Sequence, residues 1–355
     1  MWPLTKPNNI EIELLESVVY IGPHTRTNPI IRGVVRVSNN RTSHIHILNI
    51  LFVCNIKTKY CYNNKFSCDK KSITGDRLTL FCSHRKPLVV NSDSATQLSF
   101  EMLLPSEIPE TINCPQIHVN HHVILDVEYY YNQRKLYQQI RKPVIIARLP
   151  DCRMLTGENL LEMIDSRKNE SSWCQYRITI KKKAAPLGSL LPIQFEIAPL
   201  ILGVKLKEIY VQLMERRTVV PDVDRVERTT QSCFFIYPAK NSPFQLPTNI
   251  LESPWETTVE YQLPSKMAHS TETYQNFFVN HLLLVSLVFQ VPESENSTKH
   301  TTKSISFSSS IDLLHKHTTN VTRLPTYHSL VSADETIHRH TINLDQPPPD
   351  YNAVI

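Results

Sequence analysis

Glycine is what this sequence lacks most. Only six glycines occur in 355 residues, where ordinary usage would supply about 25. Glycine-rich phosphate loops and dinucleotide fingerprints therefore have little to form from, and turns fall to the 24 prolines and to Asn, Asp and Ser. Catalytic signatures are equally scarce: there is no Gly-x-Ser-x-Gly elbow, no His-Glu-x-x-His zinc motif and no Walker loop. A triad assembled from distant strands would leave no spacing signature, and nothing in the sequence points to one. No catalytic residue is nominated and no enzymatic activity is expected.

Long apolar runs are also missing. The longest, from Leu282 to Phe289, contains Ser286 and falls far short of the roughly 20 residues of a membrane-spanning helix. Met1-Trp2-Pro3-Leu4-Thr5-Lys6 lacks the charged-then-apolar layout of a secretory signal. A cytoplasmic chain with peripheral membrane association only is the expectation. Strong charge is absent too: 38 basic residues against 33 acidic ones leave a net charge of +5, which does not call for nucleic acid. One basic run, Lys181-Lys182-Lys183, is a candidate contact for acidic cargo or anionic lipid, although short runs of this kind commonly end as solvated strand termini.

The eight cysteines and the sequons at Asn40-Arg41-Thr42 and Asn320-Val321-Thr322 would suit a secreted protein. Without a signal sequence, reduced and mostly buried thiols are expected instead. Cys54, Cys61 and Cys68 are regularly spaced but form no Cys-x-x-Cys pair and have no matching His pair, so no structural zinc is expected. His118, Asn120 and His122 share one strand face, as do His44 and His46. No Asp or Cys completes either set at a recognisable spacing, and polar surface is the reading. No metal or cofactor is expected.

What is present is period-two alternation, from beginning to near the end. Ile10, Ile12 and Leu14 alternate with Glu11 and Glu13; Leu98, Phe100 and Met102 alternate with Gln97, Ser99 and Glu101. Tyr176, Ile178 and Ile180, then Ile193, Phe195 and Ile197, then Ile209, Val211 and Leu213 repeat the pattern. Each segment reads as a half-buried strand. The best short helix candidate is residues 157–168, and a short last strand is expected around residues 304–310. Many strands and few helices predict sandwiches or barrels.

The two halves also resemble one another. Leu104-Pro105-Ser106, a polar loop and Val119-Asn120-His121 in the first match Leu263-Pro264-Ser265, a polar loop and Val279-Asn280-His281 in the second. Gly33 and Gly188 each stand before an apolar stretch and read as a further matched pair. In the second half His281 is the single polar interruption of an apolar face running from Phe277 to Val291. Duplication of one sandwich is the inference, with domains at 1–150 and 151–315. Residues 316–355 are polar, poor in apolar side chains and expected to be a disordered tail.

That tail ends in Gln346-Pro347-Pro348-Pro349-Asp350-Tyr351. Consecutive prolines favour a polyproline II rod, which docks into an aromatic-lined groove with little freedom left to lose. Pro348 and Pro349 against the groove with Tyr351 in the adjacent slot is the pattern of a WW-domain ligand. Leu324-Pro325-Thr326-Tyr327 is a weaker copy that keeps one proline and the tyrosine. Tyr327 and Tyr351 are 24 positions apart, or about 25–30 Å in a flexible chain, so two WW domains of one partner are within reach.

Duplicated sandwiches, a Leu-Pro element before the last strands of each half, and a Pro-Pro-x-Tyr tail together resemble the α-arrestins, particularly the fungal arrestin-related trafficking adaptors. The stretch from Ile193 to Glu215 and Ser253-Pro254-Trp255 also fit that family. The resemblance implies an all-β fold of two arrestin-like, immunoglobulin-type sandwich lobes in tandem. It implies a non-enzymatic adaptor that binds cytosolic parts of transporters or receptors and recruits a HECT-type E3 ubiquitin ligase, promoting cargo ubiquitination and endocytosis at plasma membrane and endosomes. Covalent attachment of ubiquitin to the adaptor itself belongs to the same expectation. The rival reading nearest to it is a retromer-subunit-like arrestin-fold scaffold acting without a ligase. An extracellular adhesion sandwich and a sandwich-fold hydrolase stand further off.

Overall fold

In the computed structural model the alternating segments become two pairs of β-sheets, one pair built from each half of the chain. The structure describes residues 9–22, 29–38, 43–83, 85–90, 96–131, 134–149, 163–166, 169–242, 244–271, 274, 276–294 and 299–319. No α-helix occurs among them. The first half supplies β1 (Asn9–Leu14), β2 (Val18–Ile21), β3 (Ile30–Ser38), β4 (Ser43–Tyr62), β5 (Lys65–Cys82), β6 (Leu88–Val90), β7 (Thr96–Leu103), β8 (Ile112–Asn113), β9 (Ile117–Tyr131) and β10 (Arg134–Arg148). The second supplies β11 (Ile164–Asp165), β12 (Asn169–Glu170), β13 (Cys174–Ile180), β14 (Ala184–Pro186), β15 (Leu190–Pro199), β16 (Lys205–Val219), β17 (Arg228–Ile236), β18 (Trp255–Gln262), β19 (Phe277–Pro292) and β20 (His300–Leu314).

The two halves repeat one topology. A sheet ordered β1-β3-β7 in the first answers to β13-β15-β18 in the second, and β2-β10-β9-β4-β5 answers to β14-β20-β19-β16-β17. Even the exceptional pairing is repeated: β2 runs parallel to β10, as β14 does to β20, in sheets otherwise antiparallel. Such a repeat follows from residue pattern, because strands that bury one face keep their register or lose their core. Ile31, Val35 and Phe100 from the small sheet share the first core with Leu48, Phe52, Val119 and Leu125 from the large one. Ile178, Phe195 and Val259 share the second with Leu213, Val285 and Leu313. These are two sandwiches.

Three expectations need correction. Within residues 157–168, the described residues include β11, which pairs antiparallel with β13; Arg177 Nη2 grips Asp165 Oδ2 at 2.8 Å, and the Ile178 amide donates to Ser166 Oγ at 2.8 Å. A helix there would forfeit that sheet edge. The last strand is long, because β20 pairs with β19 from His300 to Ile311 and its alternation continues through buried Ile311 and Leu313. After it a 3-10 turn, Lys316–Thr319, buries Thr318. The glycine pair does not correspond: Gly33 lies inside β3, opposite Phe100, whereas Gly188 sits in the turn before β15 at φ 78°.

The apolar contact between the sandwiches comes from one corner of the second. Val219, Ala268, Phe277 and Val279 join the first core, with Tyr274 packed against it.

Candidate functional site

Where the repeat meets itself, it carries polar groups. In the first sandwich Thr111 bridges two strands: its amide donates to the Ile146 carbonyl at 2.9 Å, its hydroxyl accepts the Ile146 amide at 2.8 Å and lies 2.9 Å from His121 Nδ1. In the second, Ser270 repeats each contact. Its amide donates to Leu313 O at 2.7 Å, its hydroxyl accepts the Leu313 amide at 2.9 Å and lies 2.9 Å from His281 Nδ1. Both histidines are buried. They are the residues aligned in the repeated Val-Asn-His, so the sequence match marked a structural device of each sandwich.

What faces each histidine differs. Cys54 stands opposite His121 in the β4–β9 register, and Glu215 stands opposite His281 in the β16–β19 register. Cys54 is fully buried and burial pushes its thiol up to about 12. His121, stacked on Phe52 at 5.8 Å, is pushed down to about 3 by burial, which outweighs the opposing pull of the Pro109 carbonyl. It is a neutral ring in an apolar setting.

Glu215 is fully buried and ionised. Burial works to raise its pKa, but His281 and the Arg217 guanidinium outweigh it and hold the carboxyl below the usual range. One oxygen is gripped by Arg217. The other accepts the Ala268 amide at 2.9 Å and lies 3.6 Å from His281 Nε2. Arg217 then crosses to the first sandwich, donating from Nη1 to Gln116 Oε1 at 2.6 Å. A buried anion thus has a cation and an amide around it, and its cation is tied to the other sandwich.

A second polar crossing lies at the ends of β10 and β20. Arg148 reaches Glu110 Oε1 at 3.3 Å and Asp312 Oδ1 at 2.7 Å. His269 Nε2 stands 3.0 Å from the other Glu110 oxygen, close enough for an ion pair though poorly aligned for a hydrogen bond. The His315 ring meets His269 edge-on at 5.2 Å and stacks on His317 at 5.1 Å. Burial, then the neighbouring His269 and His317, push His315 down to about 4. Tyr20 completes the crossing, donating to the His317 carbonyl at 2.9 Å.

Chemically, these arrangements position and hold. Among the described residues no three metal-ligating side chains converge. A hollow of about 580 Å³ is lined by Leu190, Phe235, Tyr237, Lys240 and Glu260. No helix among the described residues is long and apolar enough to cross a membrane.

The residues singled out in the sequence are distributed as follows. Lys181 and Lys182 are exposed and Lys183 half-buried in the connection from β13 to β14, where the Lys183 carbonyl accepts the Asp312 amide at 2.8 Å. His118 and His122 lie half-exposed on the outer face of β9, and His118 Nδ1 bonds to Asn113 Oδ1 at 2.7 Å. Cys54, Cys114 and Cys174 are free and buried, but Cys61, Cys68, Cys82 and Cys233 are free and exposed. The expectation of mostly buried thiols fails because these four occupy outward or edge positions of β4, β5 and β17. Leu324, Pro325, Tyr327, Pro348, Pro349 and Tyr351 lie outside the described residues.

Residues 170–317 match the family described as Arrestin (or S-antigen), C-terminal domain. The second sandwich is arrestin-like. The match spans β13 to β20, including Glu215, Arg217, Ser270, His281 and Asp312, so the groups that engage the first sandwich lie within the arrestin-like segment. The duplicated topology extends the same architecture to the first sandwich, and an arrestin domain suggests an adaptor or scaffold in trafficking.

Sequence reasoning noticed His281 as a break in an apolar face and missed its partners. Glu215 carried a signal of the same kind, since it shares a strand face with Val211 and Leu213. Glu110 and Arg148 carried none, because only the packing of one sandwich on the other gives them a role.

Proposed function

We propose that this chain is a non-enzymatic, cytoplasmic adaptor of the α-arrestin type, with lobes at residues 1–150 and 151–315 and a ligase-recruiting tail at 316–355. The repeated sandwich whose second copy matches an arrestin C-terminal domain carries the reading. Two lobes braced by buried polar crossings form a platform for the cytosolic parts of a transporter or receptor. Exposed Lys181 and Lys182, with half-buried Lys183, supply a basic contact for acidic cargo sequence or lipid headgroups. The tail adds Pro348, Pro349 and Tyr351 for a WW domain of a HECT-type ligase, with Leu324, Pro325 and Tyr327 as the weaker second copy. Bringing ligase to cargo at plasma membrane and endosomes leads to cargo ubiquitination and endocytosis, and the adaptor itself becomes a ubiquitin acceptor.

Binding of the full chain to the tandem WW domains of a HECT ligase tests this. Tyr351→Ala should remove most of the affinity, and Tyr327→Ala with Tyr351→Ala the remainder. Absence of binding by the unmodified chain would leave an arrestin-fold scaffold without ligase recruitment, of the retromer-subunit kind.

A further inference from the structure

The β4–β5 hairpin outruns its sheet. The pairing of β4 with β9 stops at Thr58, yet β4 and β5 continue together to Tyr62 and Lys65, closing in a turn where Asn63 and Asn64 take φ 48° and 60°. Two asparagines at positive φ suit a tight hairpin turn whose twist matches its strands.

The two faces of this extension differ sharply. The inner face is clamped: Tyr60 donates to Asp69 Oδ1 at 2.8 Å, Asp69 Oδ2 accepts the Asp222 amide at 3.0 Å, and Arg228 lies over the Tyr60 and Tyr62 rings. The outer face carries Lys57, Lys59 and Cys61 on β4 opposite Lys70, Cys68 and Phe66 on β5. Phe66 is 97% exposed. Lys57 stands directly opposite Lys70, an arrangement that costs stability in a sheet, and the next residue across from Lys57 is His118. No carboxylate lies among these facing positions. The positive field is felt locally, since His118 is held below the ordinary imidazole range by burial and then by Lys59 and Lys57.

We infer that the outer face of the β4–β5 hairpin docks on an anionic lipid bilayer, with Phe66 entering the headgroup boundary and Lys57, Lys59 and Lys70 meeting acidic lipid. Lysines alone would serve an acidic peptide equally well. A bare phenyl ring on the same face, at the end of a braced projection, fits the boundary between headgroups and acyl chains, where aromatic and basic side chains act together. The uncompensated Lys57–Lys70 opposition, unfavourable in water, becomes favourable against a negative surface. The inference holds whether or not the tail recruits a ligase.

Co-sedimentation of the full chain with phosphatidylcholine vesicles, with and without phosphatidylserine, tests it. The chain should sediment with the anionic vesicles and be released as salt screens the attraction. Lys59→Glu with Lys70→Glu should weaken binding more than tenfold, each neutralised lysine alone being worth about fivefold. Phe66→Ala should weaken it about tenfold, and the emission of the Phe66→Trp variant should shift to the blue when anionic vesicles are added. All the substituted residues are exposed or outward-facing, so thermal midpoints should not fall, Lys70→Glu relieving the Lys57–Lys70 opposition, and WW-domain binding by the same variants should be unchanged. Sedimentation that these substitutions leave intact would move the membrane contact elsewhere, for instance to Lys181–Lys183, and overturn the inference. So would failure to bind anionic vesicles, a Phe66→Trp emission that vesicles leave unmoved while a poly-glutamate peptide shifts it, or self-association through this face.

Discussion

The two sandwiches share a strand order, a bridging hydroxyl and a buried histidine, but they place different groups opposite that histidine. In the first, Cys54 and, two positions along, Ile56 complete an apolar wall. In the second the same two places hold Glu215 and Arg217, a buried ion pair whose arginine reaches Gln116 of the other lobe. A hydroxyl–histidine clasp between strands is a local need of each copy and has persisted in both. At these two cross-strand places only the second copy carries charge, and its arginine joins Arg148–Asp312 in tying the lobes together. Duplication therefore explains the fold, and divergence at two cross-strand positions adds one of the ties that key one copy to the other.

The strongest way to break this comparison is to remove the charge. Glu215→Ala leaves Arg217 buried without its anion and the Ala268 amide without an acceptor, and should cost about 3–5 kcal/mol in urea unfolding. Cys54→Ala, at the corresponding place, removes only a small buried group and should cost about 1–2 kcal/mol. Copying the first lobe into the second, with Glu215→Cys and Arg217→Ile together, should recover more than half of the single-variant loss, because an apolar pair of adequate volume replaces an ion pair more gently than half of one does. A double variant as unstable as Glu215→Ala would show that Gln116 and Ala268, not the pair itself, carry the energy.

The pH response separates the lobes next. His121 is neutral in the fold down to about 3, while the unfolded chain takes up a proton below 6.5, so the unfolded state binds more protons and stability falls as pH drops through that window. The slope is at most about 1.4 kcal/mol per pH unit, reaching about 3 kcal/mol near pH 4.5. Glu215, with its carboxyl depressed, contributes stability that is present above its unfolded value of 4.5 and is lost below it. His121→Gln should make the stability profile between pH 6.5 and 4.5 shallower, leaving the part of the slope that His315 contributes and the acid limb below it in place, as measured by unfolding at stepped pH.

How much of this was legible in the sequence depends on distance along the chain. Strands with one buried face announce themselves, because Val211, Leu213 and Glu215, or Ile193, Phe195 and Ile197, are set by the pleat alone. The repeated Val-Asn-His was legible as a match, but its meaning required Thr111 and Ser270, which lie in loops ten and eleven residues before their histidines. Arg148 and Asp312 are 164 positions apart, and no local pattern brings them together. The hairpin of β4 and β5 was hidden for another reason: its Lys and Cys positions alternate like any surface strand, and only the lack, among the described residues, of a third strand beside residues 60–62 turns that surface into a projection. Glycine misled for a related cause, since a residue without a side chain shows that something is special but not what.

That last point gives the smallest and most local test. A Cβ on Gly33 would meet the Glu13 carbonyl oxygen and the Phe100 ring at 2.6 Å each, so Gly33→Ala must part β1 from β3 or displace a core aromatic, and should cost about 2 kcal/mol. Gly188 is required for its backbone instead. Its nearest neighbour to an added Cβ is Ser265 at 3.5 Å, an ordinary contact, but φ 78° lies where a side chain is strained, and Gly188→Ala should cost about 1 kcal/mol. The two losses differ in kind as well as size. Trimming the neighbour with Phe100→Leu should reduce the additional cost of Gly33→Ala, because the clash is with a side chain in part, whereas trimming Ser265 to Ala should do nothing for Gly188→Ala. Equal coupling in both cycles would mean that the two glycines answer one steric need, and that the first lobe's β3 and the second lobe's β15 begin alike after all.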